Sequence, residues 1–163
     1  MENLQNGLER FLDAQKDKYD TALNEIHAGA KETHWMWFVF PQIKGLGMSP
    51  IAQHYGVDGL DEAKAYLANP TLRSRLLESS EALLKLDGND AEAILGHPDN
   101  LKLKSSMTLF AMAESTCLTF QAVLDKFFDG QPDKATLGII ERMSAPQIDG
   151  NNPPIKSDIP NPR

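Results

Sequence analysis

The feature that most constrains this chain is the spacing of its apolar residues near the start. Leu8, Phe11, Leu12, Tyr19, Ala22, Leu23 and Ile26 fall on one face of a helix at about 100° per residue. A strand would need alternation with a period of two, which this stretch does not show. The spacing therefore predicts a long amphipathic first helix, with Gly29 as its C-terminal cap.

Further helix starts are marked by local chemistry. Ser49-Pro50 and Asn69-Pro70 each pair a side-chain acceptor at the N-cap with a proline at the first helical position, where the missing N–H costs nothing. The second of these opens a run holding Leu72, Leu76, Leu83, Leu84 and Leu86, which stops near Gly88. Asn89 is the expected cap of a short helix through Leu95, with Glu92 in the capping-box position and Gly96 at its end. His97-Pro98 reads as a boundary, residues 99 to 113 and 117 to 129 read as buried helices, and Gly130-Gln131-Pro132 separates them from a last helix around 133 to 142. The expected fold is mainly α, a compact single domain of roughly six to eight helices over residues 1–142. From Met143 the apolar period vanishes and prolines recur, so residues 143–163 read as a Pro-rich, disordered tail.

One segment resists assignment. Trp35-Met36-Trp37-Phe38-Val39-Phe40, ended by Pro41, fits either a buried helical turn or a short strand. Thr33 as an N-cap favours helix, while the aromatic and β-branched content favours strand.

Composition narrows the functional classes. A formal charge of −7 repels a phosphate backbone, which argues against duplex nucleic acid as a partner. No apolar run approaches the roughly 20 residues of a membrane span, and no secretory leader is visible, so a cytoplasmic protein is expected. Cys117 is the single cysteine and reads as a small core residue. Histidines 27, 34, 54 and 97 lack metal-ligand spacing, so neither metal nor cofactor is expected.

Four places carry potential chemistry. Gln15 lies on the apolar face of the first helix, so its amide either braces a neighbouring backbone or faces a polar cavity. Glu9, Asp13, Lys16 and Asp20 cluster within about 60° of arc on the edge of that stripe, beside Tyr19. The segment His34 to Gln42 holds both tryptophans, an aromatic wall that either forms core or stacks a purine or nicotinamide ring, with His34 and Gln42 as its polar flanks. Lys102 to Thr108 sets two cations and three hydroxyls beside an apolar face, a composition suited to gripping phosphate but lacking the glycines of a Walker loop.

Taken together, Phe11-Leu12-Asp13-Ala14-Gln15, the segment His34 to Gln42, Tyr55-Gly56 and the segment Leu101 to Phe110 resemble a bacterial family, the domain of unknown function 1810 family. The resemblance covers about residues 5 to 142 and implies a compact helical fold without an assigned activity. Some members carry the label "calpastatin", but an inhibitor of that type is a long, disordered, repetitive chain and this one is short and amphipathic. More distantly, Glu9-Arg10-Phe11-Leu12-Asp13-Ala14-Gln15-Lys16 is similar to the Glu-x-aromatic-x-x-Ala-Gln-Lys helix of the NADAR (YbiA-like) family, linked to cleavage of N-glycosidic bonds in ribosyl compounds. Leu8 stands where that family has serine, and Leu95-Gly96 where it has Trp-Gly.

Two functions follow as expectations. In the first, an N-glycosidase-like enzyme acts on a nucleotide or ADP-ribose-type compound. Glu9 and Asp13 are its catalytic carboxylates, Gln15 and Tyr19 meet the sugar side, Trp35 or Trp37 stacks the base beside His34 and Gln42, and Lys104 with Ser105 holds phosphate. In the second, a non-catalytic helical module binds a small ligand or a protein partner. They part on one point: the enzyme needs Gln15 and Glu9 to look into the same hollow.

Overall fold

A computed structural model describes residues 2–144, and the expected Pro-rich tail lies almost wholly outside them. Among the described residues the secondary structure is helical, with one isolated β-bridge and no strand. The long helices are α1 (Glu2–Ala28), α4 (Gly59–Ala68), α5 (Pro70–Leu84), α7 (Asp99–Ala113), α8 (Leu118–Phe128) and α9 (Lys134–Ser144). Three short ones, α2 (Met36–Val39), α3 (Pro50–His54) and α6 (Ala91–Leu95), bring the described total to nine. None of these helices is long and apolar enough to cross a membrane.

Most of the cap chemistry acts where the residues suggest. Gly29 takes a φ of 75° to end α1, Ser49 accepts the amide of Ala52, and Asn69 accepts those of Thr71 and Leu72. Two caps differ. The acceptor at the start of α6 is Asp90 rather than Asn89, because Asp90 alone stands three residues before the free amide of Ala93. Thr33 does not cap α2; its amide and hydroxyl both donate to Glu25 instead. No helix is expected over 59–68 from the sequence, yet α4 forms there: Asp58 makes no side-chain cap bond, and its amide donates to Glu62 at 2.8 Å.

α7 is the centre of the fold, packed against α4, α6, α8 and α9, while α5 packs against α1, α4 and α8. The core is threaded by an aromatic row: Phe11, Tyr66, Phe110 and Phe120 follow one another at centroid spacings of 5.2, 5.2 and 5.9 Å. These are favourable tilted and edge contacts, and all four rings are fully enclosed.

Ion pairs fasten the helices at the periphery. Arg10 of α1 pairs with buried Glu62 of α4 at 2.9 Å and donates to the carbonyls of His54 and Gly56 behind α3. Arg73 grips Glu114 with two parallel bonds of 2.8 and 2.7 Å, holding the carboxyl of Glu114 below the usual range.

The connection from α2 to α3 is held by main chain. Lys44 N donates to Val57 O at 2.8 Å, and Val57 N to Gln42 O at 2.9 Å, around the Ile43–Val57 bridge. Gly56 permits this closeness: a Cβ there would lie 2.8 Å from the Lys44 backbone. Gly47 plays the same part against α3, where an added Cβ would stand 2.6 Å from that of Ala52. Gln42 is thereby fixed in place at the edge of the domain.

Candidate functional site

The segment Trp35 to Phe40 resolves as helix, a single turn in which Phe38 and Val39 donate to the Trp35 carbonyl. One turn leaves its last carbonyls without partners inside the helix. That orphaning accounts for Gln15. Its Nε2 donates to Phe38 O at 2.7 Å and to Tyr66 Oη at 3.0 Å, while Oε1 accepts from Arg75 at 3.3 Å. Gln15 is 1% exposed and occupied by its neighbours, so of its two readings the structural brace is the one that forms.

Gln15 and Glu9 face different surroundings, Gln15 enclosed and bonded to its neighbours and Glu9 open to solvent. Glu9 and Asp13 are both exposed on α1. Tyr19 is buried and donates at 2.6 Å to Glu78, and burial, this bond and the nearby charge of Glu78 all push its phenol upward. Glu78 lines an open, polar hollow of about 530 Å³ between α1 and α5 with His27, Ser74, Glu81 and Lys85. Tyr19 lies behind that hollow rather than in it.

The two tryptophans have different fates. Trp35 is 1% exposed, with its indole N–H on Glu25 at 2.8 Å, and cannot stack a ligand. Glu25 also accepts from the amides of Glu32 and Thr33 and from the Thr33 hydroxyl. Partial burial alone would raise the Glu25 carboxyl, but these four donors outweigh it and bring the pKa down to about 2. His34, next to this knot, is exposed and lines neither of the hollows formed around the aromatic segment.

Trp37, by contrast, is half-buried. With Phe40, Tyr55, Gln42 and Lys102 it lines a notch of about 10 Å³, room for a water molecule. Gln42 and Lys102 also line the adjoining depression of about 220 Å³, with Leu46, Pro98, Leu101, Ser105 and Asp133. The side-chain amide of Gln42 has no hydrogen-bond partner among the described residues, whereas the other polar groups of the depression are engaged. Ser105 donates to Leu101 O at 3.1 Å, and Asp133 caps α9 by accepting from the Thr136 amide and hydroxyl.

Lys102 is the cation of this place, and Lys104 is not. Two residues along a helix means a turn of about 200°. Lys104 accordingly leans over Phe128 at 5.9 Å, while Lys102 stands over the Trp37 ring at 4.8 Å. Lys102 also pairs with Asp99 at 3.3 Å, and Asp99 pairs with Lys31 at 2.9 Å. Of the residues expected to hold a ligand, Trp37, Gln42 and Ser105 come together; Gln15, Tyr19, His34, Trp35 and Lys104 do not join them. Lys102 itself stands in the Lys-x-Lys sequence, and only the phase of α7, set by its start at Asp99, distinguishes it from Lys104. Asp133 has no site signal in the sequence, and Tyr55 is marked only by the Tyr55-Gly56 motif of the resemblance; both arrive from α9 and α3 by packing.

Fold and site together define a compact all-helical domain with one half-open aromatic edge. The chain belongs to the family described as protein of unknown function (DUF1810), whose model matches residues 5–140. It is similar to the crystal structure of the conserved hypothetical protein Rv1873 from Mycobacterium tuberculosis, with 46% identity over 82% of this chain and 95% of that one, and a TM-score of 0.80. No curated protein matches it.

Proposed function

We propose that this chain is a non-catalytic module that binds a small, nucleoside-like ligand in the depression at Gln42 and Lys102. The observation that carries the reading is convergence: Trp37, Gln42 and Ser105, picked out in two separate stretches of sequence, line adjoining hollows in which the Gln42 amide has no partner among the described residues. A free amide beside an aromatic face matches a planar heterocycle, since it offers both donor and acceptor to the ring's polar edge. The ligand protrudes, because about 220 Å³ is less than most enclosed drug-sized sites provide.

An N-glycosidase acting on a nucleotide or ADP-ribose-type compound is the competing reading. It asks for a carboxylate fixed beside the ribose, and Glu9 and Asp13 stand in solvent away from the buried amide of Gln15. The geometry therefore favours binding over cleavage. We place the module in the cytoplasm, in keeping with a single cysteine that can form no internal disulfide.

The test is titration of purified protein with AMP, followed by calorimetry and by tryptophan fluorescence. Saturable binding weakened at least fivefold by Gln42→Ala and by Trp37→Phe, and untouched by Glu9→Ala, is the expected result. Release of nicotinamide from NAD, or of free base from AMP, that disappears in Glu9→Ala would instead establish the glycosidase.

A further inference from the structure

Two side chains, Gln42 and Lys102, border both the notch and the depression, and only Lys102 is charged. Lys102 lines both, and with its ammonium over Trp37 the notch has room for only about one water. The ammonium covers the Trp37 ring at 4.8 Å, so a ring stacking on that face has to displace it.

The charges around Lys102 determine what can draw it away. Asp99 is shared between two lysines: Lys31, whose side chain is 8% exposed and stands at 2.9 Å, and Lys102, 23% exposed and at 3.3 Å. Lys31 is further held over the Trp35 ring at 5.2 Å, so it belongs to the core side of the network. The three groups carry one positive charge in excess, and it resides on the more exposed and more loosely paired partner. Lys102 sits in the first turn of α7 on a flexible four-carbon stem, so it can turn outward without moving the helix.

We infer that Lys102 is the selectivity latch of this site, admitting planar ligands that carry an anionic group and turning away their neutral counterparts. The inference rests on the binding reading above and names the class of ligand. An incoming phosphate or carboxylate pairs with the Lys102 ammonium and draws it off Trp37; the attached ring then occupies the vacated aromatic face, with its edge on Gln42. A neutral ring has nothing to offer the displaced ammonium and must break its contacts with Trp37 and Asp99 uncompensated. A bare anion finds the ammonium but gains no ring contact. Asp133 is the one carboxylate lining the depression among the described residues, and it disfavours a second negative group there, so the ligand's hydroxyls rather than its charge face that side.

The experiment compares AMP, adenosine and inorganic phosphate on the wild-type protein, on Lys102→Gln and on Lys102→Arg, with circular dichroism confirming that each variant is folded. The wild type is expected to bind AMP at least tenfold more tightly than adenosine or phosphate. Lys102→Gln should lose that preference, by weaker AMP binding, tighter adenosine binding or both, and Lys102→Arg should keep it. Equal affinity of the wild type for AMP and adenosine overturns the latch, as does a preference that survives in Lys102→Gln. If AMP binding falls in Gln42→Ala and Trp37→Phe yet ignores Lys102→Gln, the site stands and the latch alone fails. If none of the three probes binds, or if AMP binds without regard to Gln42 and Trp37, the site itself is wrong and the latch goes with it.

Discussion

Two glutamines separate the interior of this domain from its working edge. Gln15 and Gln42 carry the same amide, and both flank the one-turn helix α2. Gln15 is enclosed and has three partners, including a main-chain carbonyl left over by the shortness of α2. Gln42 is half-buried at the rim of a depression and has none among the described residues. The tryptophans repeat the contrast: Trp35 is closed in and bonded to Glu25, while Trp37 keeps part of its ring at the surface beneath a lysine. A buried polar group has to be satisfied by the protein itself, because leaving it bare costs on the order of 1–3 kcal/mol. For that reason the residue that looks most anomalous in sequence is the one least available to a ligand.

The tryptophans offer the strongest way to break this comparison. Trp35→Ala removes a fully enclosed ring and leaves Glu25 short of a donor, for an expected loss of about 3–5 kcal/mol in urea unfolding. Trp37→Ala should cost less than about half of that, and comparable losses from the two would put both rings in one core. Next in size is the glutamine pair. Gln15→Ala should lower stability by about 1–3 kcal/mol through the stranded Phe38 carbonyl and Arg75, whereas Gln42→Ala should stay within about 0.5 kcal/mol. A Gln42→Ala loss as large as that of Gln15→Ala would mean that its amide is structural too.

The smallest effect sharpens the role of Glu25 as a brace. Its folded pKa of about 2 lies below the ordinary value of 4.5, so its stabilisation is complete above about pH 4.5 and is lost as the pH falls toward 2. Melting curves between pH 6 and pH 2 should show the wild type losing more stability over that window than Glu25→Gln does. Parallel curves would show that the carboxylate contributes no pH-dependent stability.

Much of the helical plan is legible in the chain because its causes are local. The acceptors at Ser49 and Asn69, with prolines one residue on, act within three residues of their targets, as does the glycine that ends α1. α4 lacks the acceptor-proline pair that marks those starts, and Thr33 misleads because a distant carboxylate competes for its hydroxyl. The site is readable only in part. Aromatic concentration points to the segment from Trp35 to Phe40, but not to which ring remains uncovered.

By itself the sequence determined that this chain is helical, roughly where its long helices other than α4 begin and end, and which face of the first is apolar; periodicity and capping depend on residues a few positions apart. Only the tertiary structure decided that Gln15 is a brace rather than a ligand contact, that Lys102 and not Lys104 stands at the aromatic edge, and that Tyr55 borders the notch and Asp133 the depression. Those outcomes depend on which helix packs against which face, and packing unites residues that no local pattern connects.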